Sequence, residues 1–263
     1  FTFNCSAQWQ HTNAPYNPNE SICIAVNGTN IFAGMRGLGL YLSTDDGDNW
    51  TAAGLSGYFI SSIAVNGSNV FAGDDNNGVF LSTNNGNSWA AVNNGLTNLS
   101  ISALAISGTN IFAGTYGGVF MSSNYGDSWV AVNTGLTNLN IKTLAISGVN
   151  MFAGTNDGVF LSTDNGSNWN SANNGLPQDS IISSITISGN NIFAGYWYYD
   201  GRGQIFLSSN NGNNWNAVNN GLTPYNPILT LASYGTNVFA GTGKSHNWTG
   251  GGVVLTTNNG NNC

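Results

Sequence analysis

The stretch NIFAGTYGGVFMSSNYGDSWVAVN (residues 110–133) contains most of one repeat, and six copies of this pattern run along the chain. Each copy joins an Asn-x-Phe-Ala-Gly segment to a turn rich in Ser, Thr and Asn and, in five copies, to a Trp. A period of about 40 residues is typical of solenoids, propellers and repeat arrays. The six segments begin at Asn30, Asn69, Asn110, Asn150, Asn191 and Asn237.

Four short apolar runs fill each period and read as β-strands. In the third repeat they are residues 101–106, 111–114, 119–122 and 129–132, separated by turns rich in Gly and Asn. No stretch has the i, i+3, i+4, i+7 pattern of an amphipathic helix. Small sheets with two apolar faces are buried most simply by radial repetition, whereas an open β-solenoid, the alternative, normally uses shorter coils and capped ends.

The sequence therefore predicts an all-β fold, a six-bladed β-propeller of four-stranded antiparallel blades in a single domain spanning residues 1–263. Its repeats begin near residues 22, 60, 101, 141, 182 and 228. The last repeat stops at its turn, and the segment SAQWQ (residues 6–10) matches the Trp-bearing segment of the other repeats. We expect residues 5–12 to supply the outer strand of the last blade and so close the ring.

The three cysteines have different expected roles. Aligning Trp9 with Trp89 places Cys5 in the turn of the last blade, where Cys263 stands at the Trp position. This alignment predicts a Cys5–Cys263 disulfide and hence an oxidising compartment. The bridge can close one chain, which effective concentration favours, or it can join the N-terminal strand of one subunit to the next subunit in a fibre. Cys23 aligns with small residues and reads as a packed thiol.

Composition excludes several classes of partner. Charged residues make up 6% of the chain, with four Lys plus Arg against eleven Asp plus Glu, and nucleic-acid binding needs clustered cations. The sequence contains no run of about 18 apolar residues, the length that predicts a membrane-spanning helix. The first nine residues lack the features of a secretory signal, so we expect a soluble, already processed protein, secreted or at the cell surface.

Eight Asn-x-Ser/Thr sequons are candidate glycosylation sites. With 45 Asn in the chain, chance alone accounts for about eight such triplets, so their number leaves glycosylation open. The sequons are at Asn4, Asn19, Asn27, Asn49, Asn66, Asn98, Asn165 and Asn247.

The turn segments STDDGDNW (43–50), STNNGNSW (82–89), SSNYGDSW (122–129), STDNGSNW (162–169) and SSNNGNNW (208–215) resemble the Asp-box of BNR-repeat propellers, and TTNNGNNC (256–263) is a degenerate sixth copy. That family includes sialidases, sortilin-type receptor domains, xyloglucan-cleaving glycosidases and photosystem assembly factors. The resemblance implies a fold and not an activity. It also implies structural roles, in which Gly provides a positive φ and Trp fills the gap between blades. Asp45 and Asp164 keep the acid, which Asn replaces in the other copies.

A ligand or partner face is predicted where the repeats differ. We name the four strands of each blade A to D in chain order. In propellers the loops from strand D to the next strand A share one face with the loops between strands B and C. Blades 5 and 6 carry insertions in their B–C loops, at 196–202 and 243–248. Pro-Tyr-Asn-Pro occurs twice on the same face, at 15–18 and 224–227. Aromatic and polar side chains there suit a sugar ring or a protein partner, although rings that merely pad long hairpins are the alternative. The predicted residues are Tyr16, Tyr196, Trp197, Tyr198, Tyr199, Asp200, Arg202, Tyr225, His246 and Trp248.

Enzyme hypotheses have weaker support. Sialidase chemistry, as the resemblance implies it, needs three Arg and a Tyr–Glu pair, but the only Arg are Arg36 and Arg202 and the only Glu is Glu20. Other glycosidases need two carboxyls flanking a cleft, and solvated turn aspartates are the commoner explanation of the candidates on the loop face. Those candidates are Asp74, Asp75, Asp157, Asp179 and Asp200.

We predict no cofactor and no metal site, with only a weak indication of Ca²⁺ at residues 74–77. His11 and His246 lack the companions of a zinc site. The sequence thus favours an extracellular, non-enzymatic structural or adhesive propeller that binds a protein partner or copies of itself, with a fibrillar assembly as one form of the latter. A carbohydrate-binding propeller is the alternative, and glycoside hydrolysis ranks third. A lectin of this shape usually repeats its sugar-binding residues in every blade, whereas the repeated residues here are structural.

Overall fold

The computed structural model describes residues 22–198, 201–222, 226–243 and 251–257. These residues form 23 strands in six antiparallel sheets and contain no helix. The prediction of an all-β propeller of six blades is confirmed. Five sheets have four strands, and the sixth has three within the described residues. The outer strand predicted at residues 5–12 lies outside them, as do Cys5 and Cys263.

Each blade follows chain order from its inner to its outer strand. Blade 1 contains β1 (Ile22–Asn27), β2 (Asn30–Met35), β3 (Gly39–Ser43) and β4 (Thr51–Ala52). Blade 2 contains β5 (Ile60–Asn66), β6 (Asn69–Asp74), β7 (Gly78–Ser82) and β8 (Ala90–Ala91). Blade 3 contains β9 (Ile101–Ser107), β10 (Asn110–Thr115), β11 (Gly118–Ser122) and β12 (Val130–Ala131).

The remaining blades follow the same order. Blade 4 contains β13 (Ile141–Ser147), β14 (Asn150–Thr155), β15 (Gly158–Ser162) and β16 (Asn170–Ser171). Blade 5 contains β17 (Ile181–Ser188), β18 (Asn191–Trp197), β19 (Gly203–Ser208) and β20 (Asn216–Ala217). Blade 6 contains β21 (Ile228–Tyr234), β22 (Asn237–Thr242) and β23 (Gly252–Thr256).

The Phe-Ala-Gly part of the motif explains how the blades pack. Phe112 and Ala113 are fully buried on β10. A Cβ on Gly114 would lie 2.6 Å from the Cγ2 atom of Ile141 in the next blade, so only glycine permits this approach. The inner strand of one blade therefore packs directly on the preceding blade, and the Phe and aliphatic side chains between them form the core.

The turn between the third and fourth strands is held by its own side chains. In blade 3 the Ser122 hydroxyl accepts a hydrogen bond from the Gly126 N–H at 2.8 Å and donates one to Asn124 Oδ1 at 2.9 Å. Asn124 Oδ1 also accepts from the Ser128 N–H at 3.0 Å. Since only an acceptor oxygen is required, Asp and Asn serve equally well at this position. Tyr125 (φ 58°) and Gly126 (φ 92°) are both left-handed.

Trp side chains join consecutive blades through their indole N–H groups. Trp129 Nε1 donates to the carbonyl oxygen of Val92 in blade 2, at 2.8 Å. Trp89, Trp169 and Trp215 make the same bond to Ala53, Val132 and Ala172. Trp50 of blade 1 instead donates to Gly47 of its own turn, at 2.9 Å.

Blades 1 and 6 each leave one apolar face exposed. Ile24 of β1 is 64% exposed, whereas Leu104 at the same place in blade 3 is 9% exposed. Val253 of β23 is 59% exposed, whereas its counterpart Val119 is fully buried. Successive inner strands pack together from β1 to β21, but among the described residues β21 and β1 form no comparable contact. We call the surface of Ile24 and Val26 the blade 1 face and that of Leu229, Val253 and Leu255 the blade 6 face.

Cys23 is a free thiol packed between blades 1 and 2, as the sequence predicted. Its Sγ atom lies 3.5 Å from the carbonyl oxygen of Ile60. Burial raises the pKa of the Cys23 thiol to about 12, although a backbone hydrogen bond opposes this effect.

Candidate binding cleft on the loop face

The loops between strands B and C and between strands D and A lie on one face and are hydrogen-bonded to each other. The Gly37 N–H donates to the Tyr58 carbonyl at 3.0 Å, and the Asp75 N–H donates to the Phe59 carbonyl at 3.1 Å. On this face, equivalent positions of the six blades carry different side chains, whereas the strands below the loops have nearly the same sequence in every blade. The position six residues after each motif Asn is occupied by Arg36, Asp75, Tyr116, Asn156, Trp197 and Gly243.

A cleft of about 220 Å³ opens at this face between blades 1, 2 and 3. The Cζ atom of Arg36 lies 5.2 Å from the centre of the Phe59 ring, and Arg36 Nη2 lies 4.0 Å from Asp75 Oδ2. An isolated backbone bridge between Arg36 and Phe59 fixes the two loops relative to each other. The lining residues are Arg36, Phe59, Ile60, Ser61, Asp75, Ser102 and Tyr116.

Lys142 adds a second cation beside the cleft. Its Nζ atom lies 5.1 Å from the centre of the Tyr116 ring. Lys142 occupies a β-bulge that recurs in the inner strands of blades 2 to 6. Burial lowers the pKa of Lys142, and the negative charge of Asp75 opposes that shift.

Serine occupies the same bulge in three other blades and bridges to the next blade. The Ser102 hydroxyl donates to the carbonyl of Ile141 at 2.6 Å, and Ser183 donates to Ile228 at 2.6 Å. The Ser61 hydroxyl likewise donates to Ile101. A lysine side chain at this position has no hydroxyl for that bridge, so blade 4 has a cation where the repeat has a structural hydrogen bond.

The two adjacent aspartates of blade 2 have separate surroundings. Asp74 is fully buried, and its carboxylate accepts hydrogen bonds from the N–H groups of Phe59, Asn76 and Asn77 at 2.6–2.8 Å. Asp74 therefore caps its turn, and Asp75 faces the cleft. In the described part of the chain, no group of three or more His, Cys, Asp or Glu could hold a metal ion. Ca²⁺ binding at residues 74–77 stays a prediction.

A second cleft, of about 390 Å³, brings Asp157 and Asp179 to one surface. Both were candidate glycosidase carboxyls. The Asp157 N–H donates to the Thr155 hydroxyl at 3.0 Å, and Asp179 is left-handed with φ 56°, so both belong to turns. Asp200 lies outside the described residues.

The aromatic insertion of blade 5 is only partly described. Tyr196 is 7% exposed and packs edge-on against Phe206 with 6.2 Å between ring centres, so its side chain belongs to the core between blades and not to an open ligand surface. Arg202 lies over the Tyr198 ring at 5.9 Å, and Trp197 is half-buried. The other predicted face residues, Tyr16, Tyr199, Asp200, Tyr225, His246 and Trp248, lie outside the described residues.

Five sequons fall on described residues. Asn49, Asn66 and Asn165 are exposed, whereas Asn27 and Asn98 are half-buried. The side-chain nitrogens of Asn27 and Asn66 donate to the carbonyls of Gly67 and Gly108 in the next blade. Glycosylation of any sequon remains a prediction, and Asn4, Asn19 and Asn247 lie outside the described residues.

The sequence profile of the DUF6242 beta propeller domain matches residues 60–194, which is just over half of the chain. The chain belongs to this family. No curated protein sequence matches it. The relation of this DUF6242 propeller to Asp-box proteins remains a resemblance.

Solved structures that are similar to the DUF6242 propeller share its fold at low sequence identity. The GH74 enzyme of Niastella koreensis superposes with a TM-score of 0.72 at 15% identity, covering 92% of this chain and 44% of that one. The extracellular domain of a putative hybrid two component system from B. thetaiotaomicron gives 0.70 at 14% identity, covering 93% and 33%. YCF48 bound to D1 peptide gives 0.68 at 15% identity, covering 94% and 84%. The chain thus spans less than half the length of the first two.

Sequence reasoning missed the cleft residues Arg36, Phe59 and Tyr116 and the adjacent Lys142. Insertions point to blades 5 and 6, whereas these four residues are substitutions within repeats of ordinary length. Aligning the five bulge positions of blades 2 to 6 would have identified Lys142, which stands where three other blades of this DUF6242 propeller have Ser. In the described residues, no helix is long and apolar enough to cross a membrane.

Proposed function

We propose that this chain is a non-enzymatic structural or adhesive subunit that assembles with copies of itself. The blade 6 face of one copy packs on the blade 1 face of the next. The observation that carries this proposal is the exposure, on these two faces, of apolar positions that are buried between consecutive blades elsewhere.

The two faces are complementary because each copies one side of an interface inside the chain. Val253 corresponds to Val79 of blade 2, and Ile24 corresponds to Leu104 of blade 3; Val79 and Leu104 belong to one core cluster. A contact between different faces is heterologous, so it extends into a ring or a filament and does not stop at a dimer. Exposed apolar patches of this kind mark interaction surfaces.

An apolar groove beside blade 6 adds a second attachment point. It is lined by Phe193, Val218, Leu222, Val238 and Val254, among others. Val218 corresponds to Val92, whose carbonyl accepts the Trp129 indole, but the Trp position of the last turn is Cys263. We propose that Trp9, on the predicted outer strand of the same chain or of a neighbouring copy, fills this groove. A Cys5–Cys263 disulfide would then lock the strand in place.

Extracellular location is part of the proposal. It is supported by the predicted disulfide, by a surface of amides and hydroxyls, and by extracellular domains among the proteins that share the fold. The self-contained hydrogen bonding of the Ser122–Ser128 turn supports membership of the Asp-box class. Hydrolysis is not proposed, because Asp157 and Asp179 belong to turns.

Sedimentation velocity over a range of protein concentrations, with electron microscopy, tests the assembly. Wild type should form concentration-dependent head-to-tail species, and Val253→Asp should block them. Val130→Asp, an exposed valine on an outer strand away from both faces, is the matched control and should assemble like wild type.

A mixing experiment tests the direction of the contact. Val253→Asp keeps the blade 1 face and Ile24→Asp keeps the blade 6 face, so each variant alone should be monomeric and the two together should form a dimer that does not extend. Wild type that stays monomeric at every concentration, reduced or not, would overturn the proposal.

Carbohydrate binding is the second candidate function. It is favoured by the cleft, in which the rings of Phe59 and Tyr116 lie beside Arg36, Asp75 and Ser102. Sugars are bound by aromatic faces together with charged and hydroxyl groups. Isothermal titration of the purified chain with simple oligosaccharides tests this candidate, and heat from none of them would remove it.

A further inference from the structure

We propose that the cleft between blades 1, 2 and 3 binds an acidic saccharide with one carboxylate per sugar, a hexuronate unit. Arg36 pairs with the carboxylate, Lys142 adds positive charge beside Tyr116, and the Asp75 carboxylate and the Ser102 hydroxyl oxygen accept hydrogen bonds from sugar hydroxyl groups. This inference rests on the second candidate function and does not depend on self-association.

The charges of the cleft fit a monoanion. Arg36 and Lys142 are two of only four basic residues in the chain, and they flank one carboxylate, Asp75. The Arg36 side chain is 56% exposed and its contact to Asp75 is 4.0 Å, so the pair is loose and the guanidinium keeps donors for a ligand. The local charge of about +1 disfavours a doubly charged phosphate, whose second charge would meet Asp75.

The aromatic rings favour a sugar over a simple carboxylate. Phe59 and Tyr116 both line the cleft, and Tyr116 is 48% exposed. A pyranose presents C–H groups to such rings while its hydroxyls bind polar groups at the edge. A carboxylate without a sugar ring would make no contact with the exposed parts of the two rings.

Lys142 is present at a structural cost. The Ser at this bulge donates to the next blade in blades 2, 3 and 5, and that bond is absent from blade 4. A partly buried lysine is also harder to charge, as its lowered pKa indicates. A cation at this position does not help the repeat to pack, which supports a role for Lys142 in ligand binding.

The surrounding backbone holds the cleft in one shape. Hydrogen bonds join Gly37 to Tyr58 and Asp75 to Phe59, and Asp74 caps the turn from below. The site therefore needs little reordering when a ligand enters, which favours affinity.

Isothermal titration of the full chain with trigalacturonate and with neutral galactotriose tests the proposal. Trigalacturonate should bind at least tenfold more tightly than galactotriose, and added NaCl should weaken it. Arg36→Gln should reduce its affinity at least tenfold. Lys142→Ser, which introduces the residue of the other repeats, should reduce it severalfold without loss of stability. Asp127→Asn, on the opposite face, is the control and should change nothing.

Three outcomes would overturn the inference. Equal affinity for the acidic and neutral sugars would reject the hexuronate and leave carbohydrate binding in place. If neither sugar binds, both the hexuronate inference and the carbohydrate-binding candidate are rejected. Tight trigalacturonate binding that neither Arg36→Gln nor Lys142→Ser weakens would place the sugar elsewhere on the chain.

Discussion

The indole N–H of Trp129 donates a hydrogen bond to the backbone carbonyl of Val92, 2.8 Å away, across the boundary between blades 2 and 3. The ring is 3% exposed and closes the core between the two blades. Trp50, the first Trp of the series, is half-buried and donates to its own turn. The same residue type therefore has a different role at the edge of the propeller, where no described blade precedes it.

Replacing these two Trp residues by Ala should have unequal effects. Trp129→Ala leaves a cavity and an unpaired carbonyl, and we expect a loss of about 3–5 kcal/mol in the free energy of unfolding. In the monomer, Trp50→Ala should lower the free energy of unfolding by clearly less than Trp129→Ala does. Urea unfolding at low protein concentration measures both, and equal losses would mean that Trp50 is packed as deeply as Trp129.

The close approach of Gly114 to the next blade predicts a second difference. Gly114→Ala places a methyl group 2.6 Å from Ile141 Cγ2, and overpacking of this kind costs about 1–3 kcal/mol. Gly252 has no atom within 4 Å of its Cβ position and is the matched control. Thermal unfolding should show a lower Tm for Gly114→Ala and little change for Gly252→Ala.

The buried thiol of Cys23 should be unreactive in the native protein. Burial raises its pKa to about 12, so almost no thiolate forms at pH 8. Because the folded pKa is the higher one, the stability linked to this group is fully present below about pH 9 and is lost as the pH rises toward 12. A thiol reagent added to the Cys5→Ser/Cys263→Ser variant should label Cys23 only after unfolding, and rapid native labelling would contradict the packing.

The turn carboxylates of Asp45 and Asp164 should contribute to acid sensitivity. Hydrogen bonds from the Asn49 side chain, the Asn49 N–H and the Ser43 hydroxyl lower the pKa of Asp45, and Asp164 has the same arrangement with Asn168 and Ser162. Because the folded pKa is the lower one, this stability is present above the unfolded value of 3.8 and is lost as the pH falls through the folded value. Melting curves from pH 6 to pH 2.5 should fall less steeply for Asp45→Asn/Asp164→Asn than for wild type, and parallel curves would contradict the assignment.

Lys142→Ser should stabilise the protein. A serine at this bulge would reach the carbonyl of Ile182, as Ser102 reaches Ile141, and would remove a partly desolvated charge. We expect a gain of about 0.5–1.5 kcal/mol in the free energy of unfolding. Ser102→Ala removes the corresponding hydrogen bond from blade 3, so it should lower the free energy of unfolding by a similar amount. A destabilised Lys142→Ser variant would mean that the lysine supports the fold.

The repeat made most of the fold predictable. The spacing of Asn110 and its five counterparts indicates a propeller, and the Gly and Trp of each turn are required by local geometry, a left-handed φ or a gap of fixed size. These geometric requirements recur from one repeat to the next, so the residues that meet them form a visible sequence pattern. Of the predicted aromatic face, Tyr196 packs into the core, and a ligand role for the other residues stays a prediction.

The sequence by itself determined the six blades, their strands and turns, and the packed Cys23 thiol, because each depends on short-range chemistry repeated along the chain. Only the tertiary structure brought Arg36, Asp75, Tyr116 and Lys142 from four different blades to neighbouring positions. It also exposed Ile24 and Val253 while burying their counterparts. The physical reason is that a residue's neighbours in a propeller lie one repeat away, about 40 residues along the chain, so a single repeat cannot indicate which face lacks a partner or which side chains meet.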